Sequence, residues 1–485
     1  MTEPCDLSAI AARRLIGARQ LSPVELVESC IARIAAVDHA VNAVVARDFD
    51  RARTAARVAE AAVMRGEALG ALHGLPFGVK DLEETAGLRT TFGSPLFRDY
   101  VPAEDEGTVA RLRAAGGIVL GKTNTPEFGA GANTRNGVYG ATGNPFDPVR
   151  SCAGSSGGSA VALATGMLPL ATGSDLGGSL RNPAAFCGIV GFRPSAGVVP
   201  SERRGLGWSP LSVLGPMARN VPDLCLMLSA MAADDGRDPL APRVVDSFFP
   251  PREIDLATLR VAFTPDFGFA PVERVVREAF VQATGPLRPL FGASIDEAPD
   301  CAGADEAFAV LRAVGMIAAH AEKVRATPDQ VGPNIRANVE EGLRYTAEDV
   351  ARAELAHAAI SRRFHQFFNQ VALIISPAIS ITPRPWRELF PQEIDGQPLR
   401  SYFHWLALAY GVTLSGHPAV CLPAGRDVAG MPFGLQIVGP RGGDAFVLAA
   451  AGALERVLPP RPVSDVAALR AAPPISAMEG FLGFG

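Results

Sequence analysis

Three residues of this chain have types and settings that could do acyl-transfer chemistry: Lys80 in LPFGVKD, Ser155 in CAGSSGGSA and Ser179 in GSDLGGSLR. Both serines lie in glycine-rich turns bracketed by short apolar runs that read as buried strands. A serine hydroxyl is a weak nucleophile until a base takes its proton. No histidine lies near either serine in the sequence, whereas Lys80 ends a strand-like run and precedes Asp81. A lysine can act as a base once burial makes its neutral form accessible. Each feature alone is weak: a glycine-serine cluster is usually a loop, and Lys80 beside Asp81 is ordinarily a surface ion pair. Their joint occurrence carries the reading.

The elements that must position these residues follow from hydrophobic periodicity. The first 65 residues read as helices, one of them opened by Ser22 with Pro23 at its first position and Glu25 three residues after the cap. From 72 to 200, short apolar strands alternate with helical stretches, which argues for a largely parallel or mixed sheet covered on both faces. Residues 222–233 read as a helix, 259–266 as a strand and 271–370 as mostly helical. Three late strands follow in VALIISPA, PAVCLPAG and PFGLQIVG, then a helix over 444–457. The tail after Pro459 is proline- and alanine-rich and reads as irregular.

Composition narrows the classes. The 485 residues are 48% hydrophobic and 20% charged, which describes a globular protein with a sizeable core. A net charge of −5 gives no electrostatic footprint for nucleic acid or an anionic membrane. Seven scattered cysteines form neither a disulfide framework nor a metal-ligand spacing, which suits a reducing compartment. No signal peptide or membrane-length apolar run is visible, so the cytoplasm is the expected location.

The blocks HGLPFGVKD, CAGSSGGSA and GSDLGGSLRNPAAFCGIVGFRPS, in this order and spacing, resemble the amidase signature family. So do GKTNTPEFG (121–129), SGHPAVCLPAG (415–425) and GMPFGLQIVGP (430–440), so the resemblance runs from about Leu72 to Pro440. It implies a single α/β/α domain around a large mixed, mostly parallel sheet covered by helices. On that basis residues 1–65 are N-terminal helices on the core and 66–460 the signature domain, with catalytic blocks in 72–200 and a variable helical pocket region in 270–410. Residues 461–485 are a tail.

The resemblance also implies roles. Ser179 matches the nucleophile, Ser155 the bridging serine that follows a cis peptide bond, and Lys80 the general base. The backbone amides of Leu176, Gly177, Gly178 and Ser179 match an oxyanion hole, for which the glycines allow unusual dihedrals. Ser156, Asp175 and Arg181 match positions that brace the triad, although Asp175 and Arg181 could equally be a structural ion pair. The implied activity is hydrolysis of a C–N amide bond through a covalent acyl-enzyme, needing no cofactor or metal. The expected partner is a small-molecule amide, of apolar or aryl type, with a carbamate or ester as further options; a homodimer is left open. The alternative is the glutaminase A subunit of a tRNA-dependent amidotransferase. That protein's usual threonine in the nucleophile turn is replaced here by Leu176, and its lysine-proline-threonine run by Arg193, Pro194 and Ser195. Ala153 also stands where many relatives have glycine.

Two other patterns are weighed and set aside. GGIVLGKT (116–123) satisfies the phosphate-loop spacing, but Ile118, Val119 and Leu120 read as strand core and Lys122 as a strand end. GSSGG fits a nucleophile elbow centred on Ser156, yet no downstream histidine has a supporting pattern. Finally, Trp386, Tyr402, Phe403 and Trp405 lie between the family blocks and are candidates for an apolar substrate wall. The spacing of Tyr402, Trp405 and Ala409 also fits one face of a core-packed helix.

Overall fold

Short apolar runs, several with every residue buried, build the centre of the molecule. In the computed structural model, which describes residues 3–243 and 246–482, they form one eleven-stranded sheet among the described residues. In chain order the strands are β1 (Val44–Arg47), β2 (Pro76–Lys80), β3 (Ile118–Thr123), β4 (Leu170–Asp175), β5 (Val190–Arg193) and β6 (Val213–Ala218). They continue with β7 (Arg260–Phe263), β8 (Ala293–Ile295), β9 (Leu373–Pro377), β10 (Ala419–Arg426) and β11 (Pro432–Val438). Their order in the sheet is β1-β3-β2-β4-β6-β5-β10-β11-β9-β7-β8. The sheet is mixed. Parallel pairing is confined to two flanks, β3-β2-β4 and β9-β7-β8, and the strands between them run antiparallel to their neighbours.

Strands β2, β3, β5, β6, β9 and β11 are buried along their whole length. That is the expected outcome for near-continuous apolar runs covered on both faces. The helix Pro23–Val41 starts with the capping box read from Ser22 and Glu25, with Pro23 in its first turn. Later helices at Ala304–Ala326, Pro333–Gly342, Ala347–Phe367 and Ala407–Ser415 pack on one another, the other three against Ala304–Ala326. No helix of the described residues is long and apolar enough to cross a membrane. All seven cysteines are buried free thiols.

Three elements differ from the sequence reading. The N-terminal region contains β1 as well as helices; the strand begins just after Asn42, whose left-handed backbone (φ 55°) ends the preceding helix. At four residues it is too short for periodicity to reveal. Strand β8 likewise interrupts the mostly helical stretch. In the tail, Asp465 caps a helix at Val466–Ala471 that buries Leu469, so one amphipathic turn orders a segment whose composition reads as irregular.

Candidate active site

Lys80 ends β2, and parallel pairing of β2 with β4 sets its side chain against the end of that strand. The amine is fully buried and touches three hydroxyls: Ser155 Oγ at 2.6 Å, Ser156 Oγ at 2.9 Å and Ser174 Oγ at 2.9 Å. Burial lowers its pKa to about 7, against the opposing pull of Glu83 and Asp175. An ammonium has three hydrogens for three hydroxyls; a neutral amine has two and a lone pair. Losing the proton therefore requires one contact to reverse, with a hydroxyl donating into nitrogen. The shortest contact, to Ser155, is the natural one to reverse. Ser155 follows a cis peptide bond from Gly154, as the family resemblance implies. Ser156 and Ser155 are held at the start of the helix Gly157–Ala164. Gly158 lets that helix approach β3, since a Cβ there would lie 2.2 Å from the amide nitrogen of Asn124.

The turn carrying Ser179 is organised by Asp175. Its carboxylate accepts hydrogen bonds from the amides of Gly178 (3.0 Å) and Leu180 (3.1 Å). It also accepts two from Arg181, at 3.0 and 2.8 Å, and one from Arg193 at 3.2 Å. Burial alone would raise this carboxyl; the two guanidiniums and the Gly178 amide reverse that and hold it well below the usual carboxylate range. Asp175 and Arg181 are thus a fully buried ion pair. Arg181 reaches further, to Ala409 O, Gln436 Oε1 and Thr413 Oγ1, and so ties the turn to β11 and the helix Ala407–Ser415.

The four amides expected to form one oxyanion hole separate here. The Gly178 N–H is committed to Asp175, because the turn bends back on its own carboxylate. The amides of Leu176, Gly177 and Ser179 have no acceptor among the described residues. Gly178 is still required: its φ is +102°, and a Cβ would meet Asn182 and Ala409 at 2.5–2.6 Å.

Two residues that the sequence reading did not single out belong to this site. Ser174 supplies the third hydroxyl on Lys80, and Arg193 the second guanidinium on Asp175. The sequence did carry a signal for Arg193, since the departure at Arg193-Pro194-Ser195 is visible there. Below Lys80, Glu83 is also buried, with its carboxyl pushed up to about 7 by burial. It accepts from the hydroxyl of Thr172, which itself accepts from the Lys80 amide at 3.0 Å.

The two rejected motifs resolve structurally. Lys122 of GGIVLGKT is buried on β3, bonded to the carbonyl of Glu83 and to Thr85 Oγ1, so the loop pattern is strand core. Ser156 is completely buried against Lys80, and no histidine bonds Ser155, Ser156 or Ser179 among the described residues.

Ser155, Ser174, Leu176, Gly177 and Ser179 open on one cavity of about 150 Å³. Its outer wall is Leu82, Phe128, Phe308, Arg312, Met316, Tyr402, Phe403 and Leu406. Tyr402 and Phe403 are therefore at the site, and Trp405 lines a smaller adjoining cavity. Trp386 is not at the site. It is buried with Ala141 and Ile475 and donates its Nε1 hydrogen to Pro148 O at 3.1 Å. Tyr402 precedes the helix Ala407–Ser415 and so does not share a helical face with Ala409.

Comparison with known proteins shows the family. The Amidase family model matches residues 25–448. An acylamidase of Rhodococcus erythropolis is 36% identical over 463 residues, covering 93% of this chain and 96% of that protein. The A subunit of a glutamyl-tRNA(Gln) amidotransferase from Anaeromyxobacter sp. (strain K) is 34% identical, over 95% and 98% of the two chains. Among solved structures, a bacterial aryl acylamidase of the amidase signature family superposes with a TM-score of 0.88 at 27% identity, covering 96% of this chain and 98% of its own. The chain belongs to the amidase signature family of amide C–N hydrolases.

Proposed function

We propose that this enzyme cleaves apolar or aryl amides through a covalent acyl-enzyme on Ser179. Neutral Lys80 takes the proton of Ser155, and Ser155 takes that of Ser179 as its Oγ attacks the carbonyl carbon. The carbonyl oxygen becomes an oxyanion received by the amides of Leu176, Gly177 and Ser179; one such donor is typically worth about 3–4 kcal/mol of barrier. The same relay run backwards protonates the leaving amine as the C–N bond breaks. Water then attacks the ester, again losing its proton to the relay, and frees the acid and Ser179.

The observation that carries this reading is the Lys80 amine, buried and bonded to three hydroxyls, beside a cavity on which Ser179 opens. The largely apolar outer wall supports an apolar acyl or amine group. Seven free thiols suit a reducing compartment such as the cytoplasm.

The glutaminase reading draws support from the 34% identity to an amidotransferase of that type, and is opposed by Leu176 in the nucleophile turn and by the apolar wall. Hydrolysis of a panel of acyl anilides, primary amides, carbamates and glutamine tests the proposal. We expect the best kcat/KM on an acyl anilide; equal or better use of glutamine would overturn the apolar-amide reading in favour of the amidotransferase one.

A further inference from the structure

The cavity wall contains one hydroxyl whose hydrogen-bonding capacity is spent on one side only. Arg312, from the helix Ala304–Ala326, donates an Nη1 hydrogen to Tyr402 Oη at 2.9 Å. Asn338, from the helix Pro333–Gly342, donates an Nδ2 hydrogen to the same oxygen at 2.8 Å. The direction of both bonds is fixed by chemistry, since neither nitrogen can accept. The carboxamide cannot be turned the other way, because its Oδ1 accepts the second Nη1 hydrogen of Arg312 and its Nδ2 also donates to Asn334 O at 2.6 Å. The phenol oxygen has therefore filled both acceptor positions, while its own hydrogen has no acceptor among the described residues. Two incoming donors also polarise the remaining O–H and strengthen it as a donor.

This hydroxyl belongs to a residue lining the cavity of Ser155 and Ser179. Around it the wall is mostly apolar, with Leu82, Phe308, Met316, Phe403 and Leu406; apart from the site serines, its other polar side chains are Ser212 and Arg312, the latter already donating to Tyr402. An oxygen-bearing group entering such a wall loses its water without return unless a donor meets it. We propose that Tyr402 donates its hydroxyl hydrogen to a second oxygen acceptor, a carbonyl or carboxylate on the non-reacting half of the substrate, and so selects amides that carry one. Tyr402 is a positioning residue that takes no part in bond making or breaking. The inference rests on the amide-hydrolysis reading and adds a requirement to it.

The test compares kcat/KM within matched substrate pairs for the wild type and Tyr402→Phe. One pair places the acceptor on the acyl half (levulinanilide against valeranilide), the other on the amine half (para-acetyl against para-ethyl acetanilide). Succinanilate in place of levulinanilide tells a carboxylate from a ketone. The variant keeps the ring that packs against Phe390 and Phe403, at centroid distances of 5.8 and 5.3 Å, and its melting temperature is measured alongside. We expect the wild type to favour the acceptor-bearing member of at least one pair, and Tyr402→Phe to lose roughly tenfold of that preference, the weight of one hydrogen bond. Any loss on the plain member should be clearly smaller than the loss on its acceptor-bearing partner. A variant that loses activity equally on both members, or a wild type without preference in either pair, overturns the proposal, because a packing role would produce the first and no role the second. If the wild type hydrolyses no amide in the panel, the underlying amide reading fails instead, and this inference with it.

Discussion

Ser174 and Asp175 are consecutive residues at the end of β4, yet they serve two buried charge sites of opposite design. Alternation along a strand sends their side chains to opposite faces: Ser174 contacts Lys80, and Asp175 contacts Arg181 and Arg193. Lys80 is met only by neutral hydroxyls, so burial dominates and its pKa falls to about 7. Asp175 is equally buried but meets two guanidiniums and two backbone amides, so it stays ionised. Burial alone does not decide charge state. The partners do, and here they separate a lysine brought into the neutral titration range from a carboxylate held ionised.

The largest expected effect tests the titrating side. Lys80→Met should fold and lose about 10²–10⁴-fold in kcat on an acyl anilide, the usual weight of a general base. Ser179→Ala should lose at least as much, together with covalent labelling by a fluorophosphonate. Retained activity in Ser179→Ala, with loss in Ser156→Ala, would move the nucleophile to the elbow serine.

Stability should respond in the opposite sense. Asp175→Asn leaves two buried guanidiniums without their counter-charge and should cost about 3–5 kcal/mol by denaturant unfolding. Lys80→Met removes an amine with no carboxylate in contact and should cost no more than about 1 kcal/mol, the share of the hydroxyls left without it. Equal losses in the two variants would break the comparison.

The pH dependence sharpens it. The proposed base, Lys80, would work only when neutral, so kcat/KM should rise about tenfold per pH unit below its pKa of about 7 and level off above it. Asp175 has its folded pKa depressed, so its contribution to stability is complete above the unfolded value of about 3.9 and declines only as pH falls below that. Between pH 5 and 7, at roughly one to three units above that value, activity should therefore fall while circular dichroism and the melting temperature hold. Unfolding that tracks the activity loss would refute the separation.

The smallest effect concerns Ala153, which leads into the Gly154–Ser155 turn with φ of +59°. A left-handed backbone costs a residue with a Cβ about 1–2 kcal/mol, partly offset by the greater chain entropy of glycine when unfolded. Ala153→Gly should raise stability by about 1 kcal/mol or less without altering the pH midpoint. A shifted midpoint would mean that the turn's backbone also tunes Lys80.

The residues of the candidate site were legible because their signals are local or ordered along the chain. Lys80, Ser155 and Ser179 sit in blocks whose composition and succession survive without a fold, and the helix start at Ser22 needs only residues three positions apart. Tertiary structure alone decided the rest. Lys80 and Ser174 are 94 residues apart and meet because β2 lies beside β4. Arg193 reaches Asp175 across 18 residues because β5 and β4 both pair with β6. The commitment of the Gly178 amide to Asp175, the exclusion of Trp386 and the double acceptance at Tyr402 depend on side-chain directions that periodicity does not carry. Turns and caps are fixed by interactions within a few residues, whereas strand order and register bring together residues from distant segments, and the partners they bring decide which groups are paired, which titrate and which remain open to a substrate.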